Sequence, residues 1–418
     1  SLIFGVDCDL FKPGRKELLV LFSRGFRDVY DPLCLARAIP EVIREVPEVR
    51  FILAGNGPLR EEVAEMLEDA GPNVSLPGLL PENELANLMG RARAVVTPAL
   101  SDSIPLTALE AMASGAVLVA KLSLGALAMG DRWFGGMTRN PWKPSEGSSG
   151  SSAGSASATA AGLVGFTLGS ETLGSIVSPC RRCGTTGLRP TFGRVSRHGC
   201  MSLAWSMDKI GPITRSVEDA ALVFAAIHGA DGKDPTAINR PFHWPARKKL
   251  SDLTIGYFKS EETSEQREDL AVLRKLGVKL VPVQLPKTPA RPLTLILDTE
   301  AATVFDELTR KGITEGLNSW PTTFRQGQFI PAVEYLRANR IRTLLMKEMA
   351  TVMKQVDAYI GGNDLVITNF TGHPTVVLPD GFRQSADNKV PYSVTFTGQL
   401  FGEAELLAIA HAYQQERG

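Results

Sequence analysis

At 418 residues the chain exceeds the usual size of a single hydrophobic core, so two domains are expected. Its 45 Lys and Arg offset 45 Asp and Glu, which excludes a general electrostatic pull toward nucleic acid or an anionic membrane. No stretch approaches the apolar length of a membrane span, and the first residues lack the basic and apolar regions of a signal peptide, so a cytoplasmic globular protein is expected.

In chain order, residues 1 to about 114 alternate strands and helices. Leu18–Phe22, Val49–Ala54 and Ala94–Thr97 read as strands, and Leu33–Arg44 and Leu59–Ala70 carry the three-to-four spacing of amphipathic helices. That alternation predicts a parallel sheet covered by helices. The glycines of Ala54-Gly-Asn-Gly-Pro58 either bring backbone close to a phosphate or form a turn without ligand, and both readings are open at this point.

From Gly135 to Gly174 the composition turns to Gly, Ser and Ala. A flexible linker has such a composition. Here, however, Ala156–Leu168 reads as a closely packed small-residue helix running into a strand, and the serines recur in Gly169-Ser-Glu-Thr-Leu-Gly-Ser175. A serine hydroxyl attacks only when a base takes its proton, and the resulting oxyanion needs donors, which Gly- and Ser-rich loops supply through backbone amides. Ser175 follows such a loop, and Ser151 lies 24 residues before it.

Cys180 and Cys183 have zinc or redox spacing without a second Cys/His pair at a matching distance, so a structural role and no metal are expected. Beyond them, strands at Leu253–Tyr257, Val278–Val281 and Pro374–Leu378 mix with helices at Val217–Ile227, Pro331–Val352 and Glu403–Gln415. One large mixed-sheet α/β domain is expected from these pieces.

Residues 115–418 resemble the amidase-signature family. The resemblance rests on Phe134-Gly-Gly-Met-Thr-Arg-Asn-Pro-Trp142, the Gly150–Ser155 loop, Thr172-Leu-Gly-Ser-Ile176, Gly184–Ser196, Met207-Asp-Lys-Ile-Gly-Pro212 and Val217-Glu-Asp-Ala-Ala221. It implies a Ser–cis-Ser–Lys triad that cleaves or transfers amide groups without a cofactor. On it, Ser175 is the nucleophile, Ser151 the bridging serine and Ser152 its neighbour, with the amides of Thr172, Leu173 and Gly174 facing the oxyanion. Glu171 and Leu173 stand where many relatives carry Asp and Gly.

The family's catalytic Lys, in an apolar strand and followed by Asp, has no match in this sequence. Lys121 matches a non-catalytic stretch and reads as a strand-end residue; Lys143 reads as a loop charge. The expectation is therefore an amidase-type hydrolase of a small carboxamide that lacks the lysine segment and turns over weakly or not at all.

Residues 1–114 resemble the C-terminal, donor-binding half of a group 1 GT-B glycosyltransferase, through Gly5–Pro13, Val49–Pro58 and Ser101–Gly115. The resemblance implies a nucleotide sugar as ligand, with Asp102 and Glu110 accepting from sugar or ribose hydroxyls and Arg24 facing the phosphates. Tyr30 or its neighbours stand where a second, lysine contact is usual. The fold expected for the whole chain is thus a partial Rossmann-like domain fused to a truncated amidase-signature domain, joined through Ala111–Lys121, which fits either family. Sheets that have lost strands predict low stability, aggregation, or an oligomer that covers their edges. A nucleotide-sugar-dependent transferase and a non-catalytic fusion are the alternative functions.

Overall fold

The apolar run within Glu17–Ser23 forms the middle strand of a five-stranded parallel sheet, in the order Val74–Gly78, Arg50–Ala54, Glu17–Ser23, Ala92–Thr97 and Val117–Ala120. The computed structural model describes residues 7–99, 106–259, 267–362, 364–385 and 388–417. Helices Pro32–Glu45, Arg60–Met66, Glu82–Arg91 and Leu106–Ala113 make the crossovers. Leu19, Leu21 and Phe22 are almost fully buried, as strands covered on both faces require.

Asp31 starts the Pro32–Glu45 helix by accepting from the Cys34 N–H, and Pro32 suits a first turn that has no use for that donor. The second expected helix stops at Met66, and Glu68–Asn73 continues as a tighter turn broken at Gly71-Pro72. Gly55 has φ +144°, and a β-carbon there would stand 2.1 Å from the Arg24 carbonyl oxygen. The glycines of Ala54–Pro58 thus pack this turn against Arg24–Phe26, where the Leu59 N–H donates to the Phe26 carbonyl at 3.0 Å. Contacts divide the chain into Ser1–Ser123 and Leu124–Gly418, because Val117–Ala120 pairs with Ala92–Thr97.

The second unit is built on an eight-stranded mixed sheet. Its order is Thr167–Glu171, Lys209–Thr214, Thr186–Arg189, Thr375–Ser385, Asn388–Gly398, Ala358–Ile360, Thr254–Tyr257 and Lys279–Pro282. Successive residues of one strand serve opposite faces. Val376 joins Phe224, Phe396 and Tyr413 beneath helices Val217–Ile227 and Glu403–Arg417, whereas Val377 joins Ile176, Val177, Cys180 and Ile213 beneath helix Val177–Cys183. A helical layer around Ile296, Phe305, Trp320, Phe324 and Phe370 forms a further apolar cluster.

The small-residue helix spans Ala153–Ala160, and the strand expected after it begins at Thr167. Ala153, Gly154, Ser155, Ala156 and Ala158 are buried, so their small side chains let the helix lie close to its neighbours. The strand expected at Pro374–Leu378 runs on to Ser385 and pairs antiparallel with Asn388–Gly398. Among the described residues no helix is long and apolar enough to cross a membrane.

Candidate active site

Two short segments meet at the end of the Thr167–Glu171 strand. The Ser152 N–H donates to the Ser175 carbonyl at 3.1 Å, and the Gly125 N–H to the Ser151 carbonyl at 3.0 Å. The Gly150–Ser151 peptide bond is cis. Ser151 and Ser175 are 1% and 8% exposed, and the Ser151 hydroxyl has no hydrogen-bond partner among the described residues. Ser152 does different work: its hydroxyl donates to the Ser170 carbonyl and accepts from the Ser170 N–H, both at 3.1 Å, tying its segment to the strand.

The loop between strand and helix is anchored on both sides. Thr172 Oγ1 donates to Asp208 at 2.6 Å, and that carboxylate also accepts from the Leu203 and Ala204 N–H groups. Leu173 packs against the apolar helical cluster with Phe370 and Met207. Gly174 has φ +95°, a conformation that favours glycine, and a β-carbon on it would stand 2.9 Å from Ser178 Oγ. The turn delivers Ser175 to the start of helix Val177–Cys183.

Beneath the loop lies a charged cluster that motif reading alone does not identify. Glu171 is fully buried; one oxygen accepts from the Ile176 and Val177 N–H groups at 2.8 and 2.9 Å, and the other from Arg189 and Asn369, both at 2.8 Å. Burial alone would raise its pKa, but Arg189 and Lys209 hold it at about 2. Lys209 pairs with Glu171 across the two strands and shares its buried face. Burial first, then repulsion from Arg189, lowers its ammonium to about 7, against the pull of Glu171 and Asp208. Its amine donates to the Met207 carbonyl. A lysine inside the apolar run Lys209-Ile-Gly-Pro-Ile-Thr214 was the available sequence signal.

The other lysines considered have partners: Lys121 pairs with Asp31 at 3.3 Å and Lys143 with Glu146 at 2.6 Å. Cys180 and Cys183 are buried and unbridged; burial pushes both thiols up, Cys183 to about 12. The described residues contain no group of three or more His, Cys, Asp or Glu able to hold a metal ion.

In the front unit Arg24 lies over the Tyr30 ring, 5.2 Å from its centroid. Burial raises the Glu110 pKa, and the nearby Arg24 charge opposes that rise, so the two residues are electrostatic neighbours. Asp102 lies outside the described residues.

A family model described as Amidase matches residues 96–362, and one described as Glycosyl transferases group 1 matches residues 18–131. The chain is 31% identical to a Glutamyl-tRNA(Gln) amidotransferase subunit of Roseiflexus sp., over 88% of this chain and 89% of that protein. It is 30% identical to the corresponding protein of Coxiella burnetii, over 72% and 75%. Among solved structures it resembles the native peptide amidase from Stenotrophomonas maltophilia, with TM-score 0.61 and 26% identity over 75% of this chain and 76% of that one. The Glutamyl-tRNA(Gln) amidotransferase subunit of Thermotoga maritima gives TM-score 0.58 and 29% identity over 73% and 74%.

Proposed function

This chain belongs to the amidase family, and on that premise we propose that it acts on a small carboxamide through an acyl intermediate on Ser175. Ser175 Oγ adds to the carbonyl carbon while Ser151 takes up and passes on its proton. The Thr172, Leu173 and Gly174 amides receive the oxyanion. Collapse then breaks the C–N bond, the amine leaves with a proton, and water releases the acid. The observation that carries this reading is the Ser152 N–H to Ser175 carbonyl bond, which holds the two serine segments side by side, with the Ser151 hydroxyl buried and without a hydrogen-bond partner among the described residues.

The base is the weak element of the machinery. Among the described residues no lysine donates to or accepts from either serine hydroxyl, and a serine without its base loses several orders of magnitude in rate. We therefore expect acylation by reactive compounds and slow turnover of ordinary amides. The curated relatives are named as subunits, which supports a chain that works with a protein partner.

A fluorophosphonate tests the reading: it should label the wild type, label Ser151→Ala more slowly and leave Ser175→Ala unmodified. Equal labelling of Ser175→Ala removes Ser175 as nucleophile. For the front unit, the proximity of Arg24 and Glu110 favours a second reading as a nucleotide-sugar site, with an arginine for phosphate and a carboxylate for hydroxyls. Binding of a nucleoside diphosphate sugar that is undiminished in Glu110→Ala would remove it.

A further inference from the structure

The segment that leads into Ser151 is held from outside along its length. The Ser148 N–H donates to the Thr138 carbonyl at 2.9 Å, and the Ser148 carbonyl accepts from the Cys183 thiol at 3.7 Å. The Ser149 N–H donates to Asp131 Oδ2 at 2.9 Å, and the Ser151 carbonyl accepts from the Gly125 N–H at 3.0 Å. Asp131 supplies the charged group among these contacts, and a hydrogen bond to a carboxylate is stronger than one between neutral groups.

Ser149 is the residue that needs such a hold. Its φ is +63°, in the left-handed region that residues with a β-carbon rarely adopt, and such a conformation persists where the surroundings enforce it. The fold is built to let Asp131 do so. A β-carbon on Gly147 would stand 2.0 Å from Asp131 Oδ2, so the glycine leaves open the space that the carboxylate fills. A β-carbon on Gly150 would stand 1.8 Å from the Gly130 carbonyl oxygen, so the residue before Asp131 also lies against the Ser151 segment. The short hairpin that follows Asp131 does not depend on the carboxylate. It is closed by backbone pairing of Arg132–Trp133 with Gly136–Met137 and by the Thr138 N–H to Asp131 carbonyl bond at 3.0 Å.

We infer that Asp131 is a positioning residue for Ser151: its carboxylate holds the Ser149 amide and thereby sets where the Ser151 hydroxyl stands toward Ser175. Only Gly150 separates Ser149 from Ser151, and a glycine does not fix its own conformation, so a shift at Ser149 is passed on. The inference rests on the acyl-serine reading and deepens it, since Asp131 acts on the proton relay and not on the nucleophile.

Fluorophosphonate labelling rates of the full chain in a double-mutant cycle test it, with circular dichroism checking that each variant is folded. Asp131→Ala should label about tenfold more slowly than wild type, the scale of loss that a small misplacement of a reacting group produces. Asp131→Asn should keep most of the rate, because its amide oxygen can accept from the same N–H. In a Ser151→Ala background Asp131→Ala should slow labelling no further, whereas a merely structural role would lower the rate in both backgrounds. A wild-type rate in Asp131→Ala, or an equal slowing in the Ser151→Ala background, overturns the assignment. If Asp131→Ala does not fold, Gly147→Ala displaces the carboxylate from the other side, and a wild-type rate in that folded variant overturns it instead. Ser151→Ala alone separates the two readings: if it labels as fast as wild type, the relay falls and Asp131's role with it; if it is slow while Asp131→Ala is fast, the role of Asp131 falls alone.

Discussion

A carboxylate sealed from water keeps its charge only where cations and donors surround it, and Glu171 is such a group. One of its oxygens accepts from the two amides that follow Ser175, so the charge of one side chain shapes the turn that carries Ser175. Glu171→Gln strands Arg189 in the interior, and we expect a loss of about 3–5 kcal/mol in denaturant titration, with slower fluorophosphonate labelling. With its folded pKa at about 2, below the usual 4.5, Glu171 contributes stability that is complete above about pH 5 and lost as pH falls toward 2. Lys209 also makes stability rise with pH, but as a cost relieved in an alkaline window. Its folded pKa of about 7 lies below 10.5, so the cost of protonating it in the interior is absent above about pH 10.5, grows as pH falls to 7, and levels off there. Relative to Lys209→Met, the wild type should therefore gain stability from pH 7 to 10; parallel pH dependence of the two denaturation midpoints would contradict this. The meeting of the Ser151 and Ser175 segments was foreshadowed by a local motif, since both lie in one Gly- and Ser-rich stretch. Glu171's cations were not, since Arg189 and Lys209 reach it only through strands paired across the sheet.

At the scale of elements, the turn at Gly174 joins a strand to a helix with no room for a side chain. Gly174→Ala would impose φ +95° on a residue with a β-carbon and press it against Ser178 Oγ. Labelling of Ser175 should fall at least tenfold while the far-ultraviolet circular dichroism changes little; an unchanged labelling rate would show that the turn does not position the nucleophile. The long amphipathic helices were readable from spacing, as Ala332–Met353 against the expected Pro331–Val352 illustrates. The Thr375–Ser385 and Asn388–Gly398 hairpin was read only in part, because Pro379, Asp380 and Gly381 interrupt its apolar pattern at a bulge. Strand Thr186–Arg189 was missed for a related reason: four residues containing a glycine carry too little periodicity, and its burial comes from neighbours distant in sequence.

For the molecule as a whole, equal numbers of acidic and basic residues leave no net charge near neutrality to keep copies apart. Solubility measured by turbidity should be lowest near pH 7 and rise on either side, and a minimum far from neutrality would show that a few surface patches govern association instead. Two parts were expected from composition and motifs, and the strand after Gly115, which by sequence suits either family, pairs with Ala92–Thr97. The sequence also suggested open sheet edges. Thr167–Glu171 is indeed the last strand of its sheet, yet Ser152 occupies both backbone groups of Ser170, and the Ser155 hydroxyl donates to the Leu168 carbonyl at 2.9 Å. Hydroxyls of the Gly150–Ser155 segment thereby satisfy polar groups that a foreign strand would seek. Replacing Ser152 and Ser155 with alanine should leave those groups open and raise the tendency of copies to pair edge to edge.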